Sequence, residues 1–133
     1  MKARKVHEEW TGQICMVPPK KKVEPEASVL GRVTRALERC PGVIVMRNRI
    51  GFDKRAQRHY GLGTGSSDLV AIVAPYGRWL CIETKREKGG RVSGEQKAWL
   101  TTMRGMGAVA DVCVTPEHAL LLVVEARRLP EAS

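Results

Sequence analysis

Two short apolar segments, Asp68 to Ala74 and Arg78 to Lys85, are separated only by Pro75-Tyr76-Gly77, and this arrangement constrains the chain more than any other feature. Leu69-Val70-Ala71-Ile72-Val73 and Leu80-Cys81-Ile82 read as strands, and so short a turn suits an antiparallel hairpin. Alternate side chains of a strand share a face, so Cys81, Glu83 and Lys85 project together while Leu80, Ile82 and Thr84 project oppositely. Paired in this way, the strands hold Asp68 beside Glu83.

The surrounding elements follow from periodicity and punctuation. From Glu26 to Cys40 the residues Val29, Leu30, Val33, Leu37 and Cys40 recur at spacings of three and four, predicting an amphipathic helix with Pro25 in its first turn. Pro41-Gly42 ends it, and Val43-Ile44-Val45 reads as a buried strand leading into Arg47-Asn48-Arg49. Residues 51–66 carry Lys54, Arg55, Arg58 and His59, followed by Gly61, Gly63 and Gly65, without apolar periodicity, and are expected to form a flexible basic loop. Ser93 begins a second helix, with Gln96 as the partner in a capping box and with Trp99, Leu100 and Met103 as its apolar stripe. A strand over Val109 to Val114, interrupted by Asp111, and a last helix from Thr115-Pro116 to about Glu125 complete an order of helix, three strands, helix, strand, helix. The 133 residues, 43% of them apolar, are enough for one core and too few for two.

Residues 1–25 stand apart. Pro18-Pro19-Lys20-Lys21-Lys22 and Pro25 read as an extended basic arm, either laid along phosphates or simply solvated. Over the whole chain 23 basic residues face 14 acidic ones, a formal charge of +9 that attracts a polyanion and makes nucleic acid the expected partner. Cys15, Cys40, Cys81 and Cys113 lie far apart, without zinc-ligand spacing, and are expected to be free thiols. No segment resembles a signal peptide or reaches the ~18 apolar residues of a membrane span, so a cytoplasmic setting without membrane contact is expected.

A Glu-x-Lys at the end of an apolar strand is by itself most simply a salt bridge. The preceding strand changes that reading. Two carboxylates held side by side repel unless a cation lies between them, and hard oxygen ligands suit Mg2+ or Mn2+. A cation there would bind a scissile phosphate and activate water, with Lys85 facing the charge that develops on phosphorus. Gly61-Leu62-Gly63-Thr64-Gly65 precedes a strand instead of opening a helix, which argues against a nucleotide cofactor. His59 and His118 show no partner in the sequence, Cys81 is expected to pack as a small apolar residue, and Trp79 and Trp99 are assigned to the core over base stacking.

Taken together, Gly65-Ser66-Ser67-Asp68-Leu69, fourteen residues between Asp68 and Glu83, Glu83-Thr84-Lys85, and Glu95-Gln96-Lys97-Ala98-Trp99-Leu100 resemble the VRR-NUC family (virus-type replication-repair nucleases) of the PD-(D/E)XK superfamily. The resemblance runs from about Glu26 to Glu125 and departs from the usual pattern in having Ser67 where a proline commonly precedes the first acid. It implies an α/β fold with a restriction-endonuclease-like core, a mixed β-sheet flanked by helices, over a nuclease domain at 26–133. It also implies that Asp68 and Glu83 bind metal with the backbone carbonyl of Thr84, that Lys85 is catalytic, and that Gln96 stands beside the site. An additional acid from the first helix would be Glu26, with first-turn helix stabilisation as its competing role and Glu24 as a neighbour. Gln96 likewise has a competing role in the capping box.

The resulting expectation is a metal-dependent DNA endonuclease, and short stand-alone members of the family resemble homodimeric resolvases of branched DNA such as Holliday (four-way) junctions, in a phage or bacterial setting. Arg47, Lys54, Arg55, Arg58, Lys88 and Arg91 are the expected DNA contacts. The rival from another class is a catalytically silent DNA-binding or assembly protein on the same fold, against which the intact Asp68, Glu83 and Lys85 argue. A sequence-specific restriction enzyme is disfavoured because little chain remains outside the core to read bases.

Overall fold

The structure, a computed structural model, describes residues 28–88 and 90–129. Along the chain the elements are α1 (Val29–Glu38), β1 (Val43–Arg47), β2 (Gly51–Asp53), β3 (Arg58–Tyr60), β4 (Leu69–Val73), β5 (Arg78–Thr84), α2 (Gly94–Gly105), β6 (Val109–Cys113) and α3 (Pro116–Ala126). The main sheet has the order β1-β4-β5-β6, antiparallel except for β5 and β6, which are parallel and joined through α2. It is the mixed sheet flanked by helices that the sequence implied.

Each helix starts where a short polar side chain can satisfy its free amides. The Ser28 hydroxyl accepts from the Gly31 amide at 3.1 Å, and the Thr115 hydroxyl accepts from the His118 amide at 3.2 Å with Pro116 following at the first helical position. The cap of α1 is therefore Ser28. The earlier start at Glu26, with Pro25 in the first turn, falls outside the described residues, as do Glu24, Cys15 and the arm over 1–25.

The alternation within the hairpin separates two cores. Leu69, Ala71 and Val73 of β4 join Leu80 and Ile82 of β5 on one face, beneath Val33 and Leu37 of α1 and Leu122 and Val123 of α3. On the other face Cys81 packs with Leu100 of α2 and with Ala108 and Ala110, while Trp99 and Met103 are partly buried against them. Burying a large apolar side chain contributes roughly 1.5–3 kcal/mol, so these layers fix which way β4 and β5 face. Cys40, Cys81 and Cys113 are free thiols. Burial pushes Cys81 up to about 11, and burial followed by the nearby Asp111 charge pushes Cys113 up to about 12.

Four expectations are corrected. Residues 51–60, read as a structureless loop, form a separate two-stranded antiparallel ribbon, β2 with β3, whose turn is held by the Asp53 carboxylate accepting from the amides of Arg55 and Ala56 at 2.9 and 3.2 Å. Its strands are too short and too exposed to show an apolar alternation. Strand β1 is an edge strand whose exposure grows toward Arg47, rather than a buried one. Trp79 is 41% exposed instead of lying in the core. His118 does have a partner: Asp111, the residue that interrupts β6, sits 3.4 Å from His118 on α3 and 3.5 Å from Arg104 on α2, so the edge of the sheet is closed by charge. No helix among the described residues is long and apolar enough to cross a membrane.

Candidate active site

The site lies at the open end of the β4–β5 hairpin. The register pairs Leu69 with Ile82, so the next pair outward is Asp68 with Glu83. Asp68 is held by the strand beside it: Oδ2 accepts from the amide of Thr84 at 2.9 Å and from its hydroxyl at 2.8 Å. Thr84, expected to project away, turns its hydroxyl across the strand end to Asp68. The backbone on the other side is fixed by Asn48, whose amide nitrogen on the main chain donates to the Asp68 carbonyl at 2.8 Å. The Asn48 side chain donates to Ser66 Oγ and to the Ser67 carbonyl at 2.7 and 2.9 Å and accepts from the Leu62 amide at 3.1 Å. Ser67, at the position where the family pattern has proline, is buried and donates its hydroxyl to the Leu69 carbonyl at 2.8 Å. The sequence reading passed over Asn48 because an asparagine between two arginines carries no spacing signal.

Glu83 is 2% exposed. Its Oε1 accepts from Gln96 Nε2 at 2.5 Å and lies 3.1 Å from Lys85 Nζ, whereas Oε2 is buried with no hydrogen-bond partner. Burial raises the Glu83 carboxyl above its ordinary range, the charge of Asp68 raises it further, and Lys85 opposes both. Gln96 joins the two roles that competed in the sequence. Its Oε1 accepts from the Ser93 amide at 2.9 Å while the Ser93 hydroxyl accepts from the Gln96 amide at 3.1 Å, and the other end of the same side chain holds Glu83.

Thus Asp68, Glu83, Thr84, Lys85 and Gln96 come together, from the residue before β4, the end of β5 with the residue after it, and the first turn of α2. The buried, unsatisfied Glu83 oxygen and the neighbouring Asp68 carboxylate are what a hard divalent cation would neutralise. No cluster of three or more His, Cys, Asp or Glu residues suited to a metal occurs among the described residues. Mg2+ keeps waters and takes substrate phosphate oxygens besides one or two carboxylates, so a pair such as Asp68 and Glu83 would fit it.

The basic residues singled out in the sequence lie on several elements. Arg47 ends β1 opposite Leu69, Arg58 lies on β3, Lys54 and Arg55 lie in the turn between β2 and β3, and Lys88 and Arg91 are exposed between β5 and α2. No salt bridge joins Lys54, Arg55 or Arg58 to Asp68 or Glu83 among the described residues. Glu26 lies outside those residues.

A family model described as the VRR-NUC domain matches residues 26–115. No curated protein and no solved structure gives a significant match. The match covers β1 through β6, and with them every residue of the cluster at the hairpin end.

Proposed function

Since the chain belongs to the VRR-NUC family of nucleases, we propose that it is a divalent-metal-dependent DNA endonuclease centred on Asp68, Glu83 and Lys85. The observation that carries this reading is the Glu83 carboxylate, buried with one oxygen unsatisfied, next to Asp68 and with Lys85 on its other oxygen. A purely structural Glu83–Lys85 pair gives no reason to keep a second carboxylate beside a buried one, since that arrangement costs desolvation and repulsion together.

Asp68, Glu83 and the carbonyl of Thr84 would hold Mg2+ or Mn2+, which when bound supplies Lewis-acid stabilisation of a phosphate and lowers the pKa of water. This chain's own residues do the positioning. Thr84 holds Oδ2 of Asp68, Gln96 fixes Oε1 of Glu83 and thereby aims Oε2, and the Lys85 ammonium faces the negative charge that grows on phosphorus as water attacks. The oxygen–phosphorus bond from water forms, the bond to the 3′ oxygen breaks, and that oxygen takes up a proton, leaving a 5′-phosphate and a 3′-hydroxyl.

The test is a cleavage panel of single-stranded, duplex, flap and four-way DNA with Mg2+ or Mn2+. Cleavage by the wild type, abolished by excess chelator and by Asp68→Asn with DNA binding retained, is the expected result. Robust cleavage by Asp68→Asn or in chelator overturns the assignment. Action on branched DNA as a homodimer, the finer reading, predicts preferential cleavage of the flap or four-way substrate and a hydrodynamic mass of two chains.

A further inference from the structure

The β2–β3 ribbon is separate from both cores, yet it carries apolar side chains that neither core covers. Phe52 is 45% and Tyr60 50% exposed, flanked by half-exposed Ile50 and Leu62. Phe52 and His59 are cross-strand partners whose ring centroids lie 5.0 Å apart with the planes tilted by 59°, on one face of the ribbon. The pair Gly51 and Tyr60 belongs to the opposite face, where the tyrosine ring lies so close over Gly51 that a Cβ there would clash with it. The turn between the strands bears Lys54 and Arg55, and Arg58 begins the return strand. Two-stranded ribbons are marginal in water, and a cross-strand ring pair such as Phe52 with His59 adds only about 0.2–1 kcal/mol to one.

The two ends of the ribbon are nevertheless tied to the segment that leads into the candidate site. The ribbon springs from the end of β1, and the single side chain of Asn48 ties its return at Leu62 to Ser66 and Ser67, the residues that lead into Asp68. The glycine turn that follows is pressed on α2: a Cβ on Gly65 would stand 2.8 Å from the Glu95 backbone, next to Gln96. A basic ribbon with exposed aromatic rings on both faces, anchored one residue before a metal-binding acid, matches the chemistry of a base-stacking platform: cations for the phosphates and rings for bases whose faces are free.

We propose that Phe52 and Tyr60 stack on unpaired DNA bases next to the cleavage site, so that the ribbon selects substrates with a branch, bulge or single-stranded end over continuous duplex. Bases within a duplex offer no free face to these rings, whereas every unpaired base does. The proposal rests on the nuclease reading for the nature of the ligand, but it concerns binding.

Its test therefore avoids cleavage. In the Asp68→Asn background, affinity is measured for a duplex and for the same duplex with a short bulge carrying 2-aminopurine, whose fluorescence is quenched by stacking. The expected result is that Phe52→Leu and Tyr60→Leu, which keep apolar bulk, each lower the ratio of bulge to duplex affinity by about tenfold and relieve the quenching. Phe52→Trp should restore both. An unchanged ratio, an equal loss on both DNAs, or a shift in hydrodynamic mass that marks the rings as a contact between copies overturns the proposal. A chain that shows this selectivity without metal-dependent cleavage would sink the nuclease reading alone, and a metal-dependent nuclease lacking the selectivity would sink the ribbon proposal alone.

Discussion

Glu83 carries a consequence for stability as well as for chemistry. Because burial and Asp68 raise its pKa in the folded chain, the folded state binds a proton more readily than the unfolded state between the ordinary carboxylate range and the raised value. Without metal, stability should therefore fall as pH rises through that window. Glu83→Gln should flatten this slope and lose the stabilisation that Mn2+ gives the wild type, which grows as RT ln(1 + [L]/Kd). Thermal melts across mildly acidic to neutral pH, with and without Mn2+, check both effects; a metal-induced shift that survives in Glu83→Gln would remove this carboxylate from the ligand set. Gln96 permits a sharper separation. Ser93→Ala removes only the cap and should cost about 0.5–2 kcal/mol with turnover largely kept. Gln96→Glu keeps an acceptor for the Ser93 amide, and with it the cap, but sets a third carboxylate against the buried Glu83, so the metal-free fold should lose stability by repulsion and turnover should fall at least ~10²-fold, as for loss of other preorganised donors. Wild-type turnover in Gln96→Glu would reduce Gln96 to a capping residue.

Among the elements, the junction of the glycine turn with α2 is the one most sensitive to a single methyl group. Gly65 combines φ +81° with the close approach to Glu95, whereas Gly63 has φ +101° and open space around its Cβ position. Both alanine variants should pay the backbone cost of about 1–3 kcal/mol, and Gly65→Ala should lose more because backbone must also move. Chemical denaturation of the pair measures the difference, and equal losses would mean that the turn does not press on the helix. These elements also mark how far the sequence was legible. The β4–β5 hairpin and α2 could be read because a short turn fixes a register and a capping box fixes a start, and the hairpin brought Asp68, Glu83 and Lys85 together, whereas Gln96 was placed beside them only by the family resemblance. The β2–β3 ribbon could not, since its three-residue strands leave Phe52 and Tyr60 in solvent and so present no alternation of apolar and polar. Asn48 and the Thr84 hydroxyl escaped notice for another reason: their partners are set by how the ends of three strands meet. Trp79 misled because an aromatic on an otherwise buried strand is ordinarily in the core, and here it lies near the turn end of β5, on the face where the α2 layer leaves it half open.

For the molecule as a whole, a charge of +9 predicts attraction to any polyanion, and the placement of the cations decides how it is used. If Lys54, Arg55 and Arg58 neutralise phosphates, replacing all three with alanine should weaken binding to every DNA sequence and flatten the salt dependence by up to ~0.9 log units per lost duplex contact. Titrations with Ca2+ in place of Mg2+ over a range of salt concentrations test this, and an unchanged slope would take the ribbon's cations off the DNA surface. The double engagement of Gln96 has a final consequence in time. The ends of helices fray at little free-energy cost, long before a domain unfolds. The capping box and the bond to Glu83 hold this end of α2, and because the Gln96 side chain orients the proposed catalytic carboxylate, fraying there would release Glu83 while the two cores remain intact.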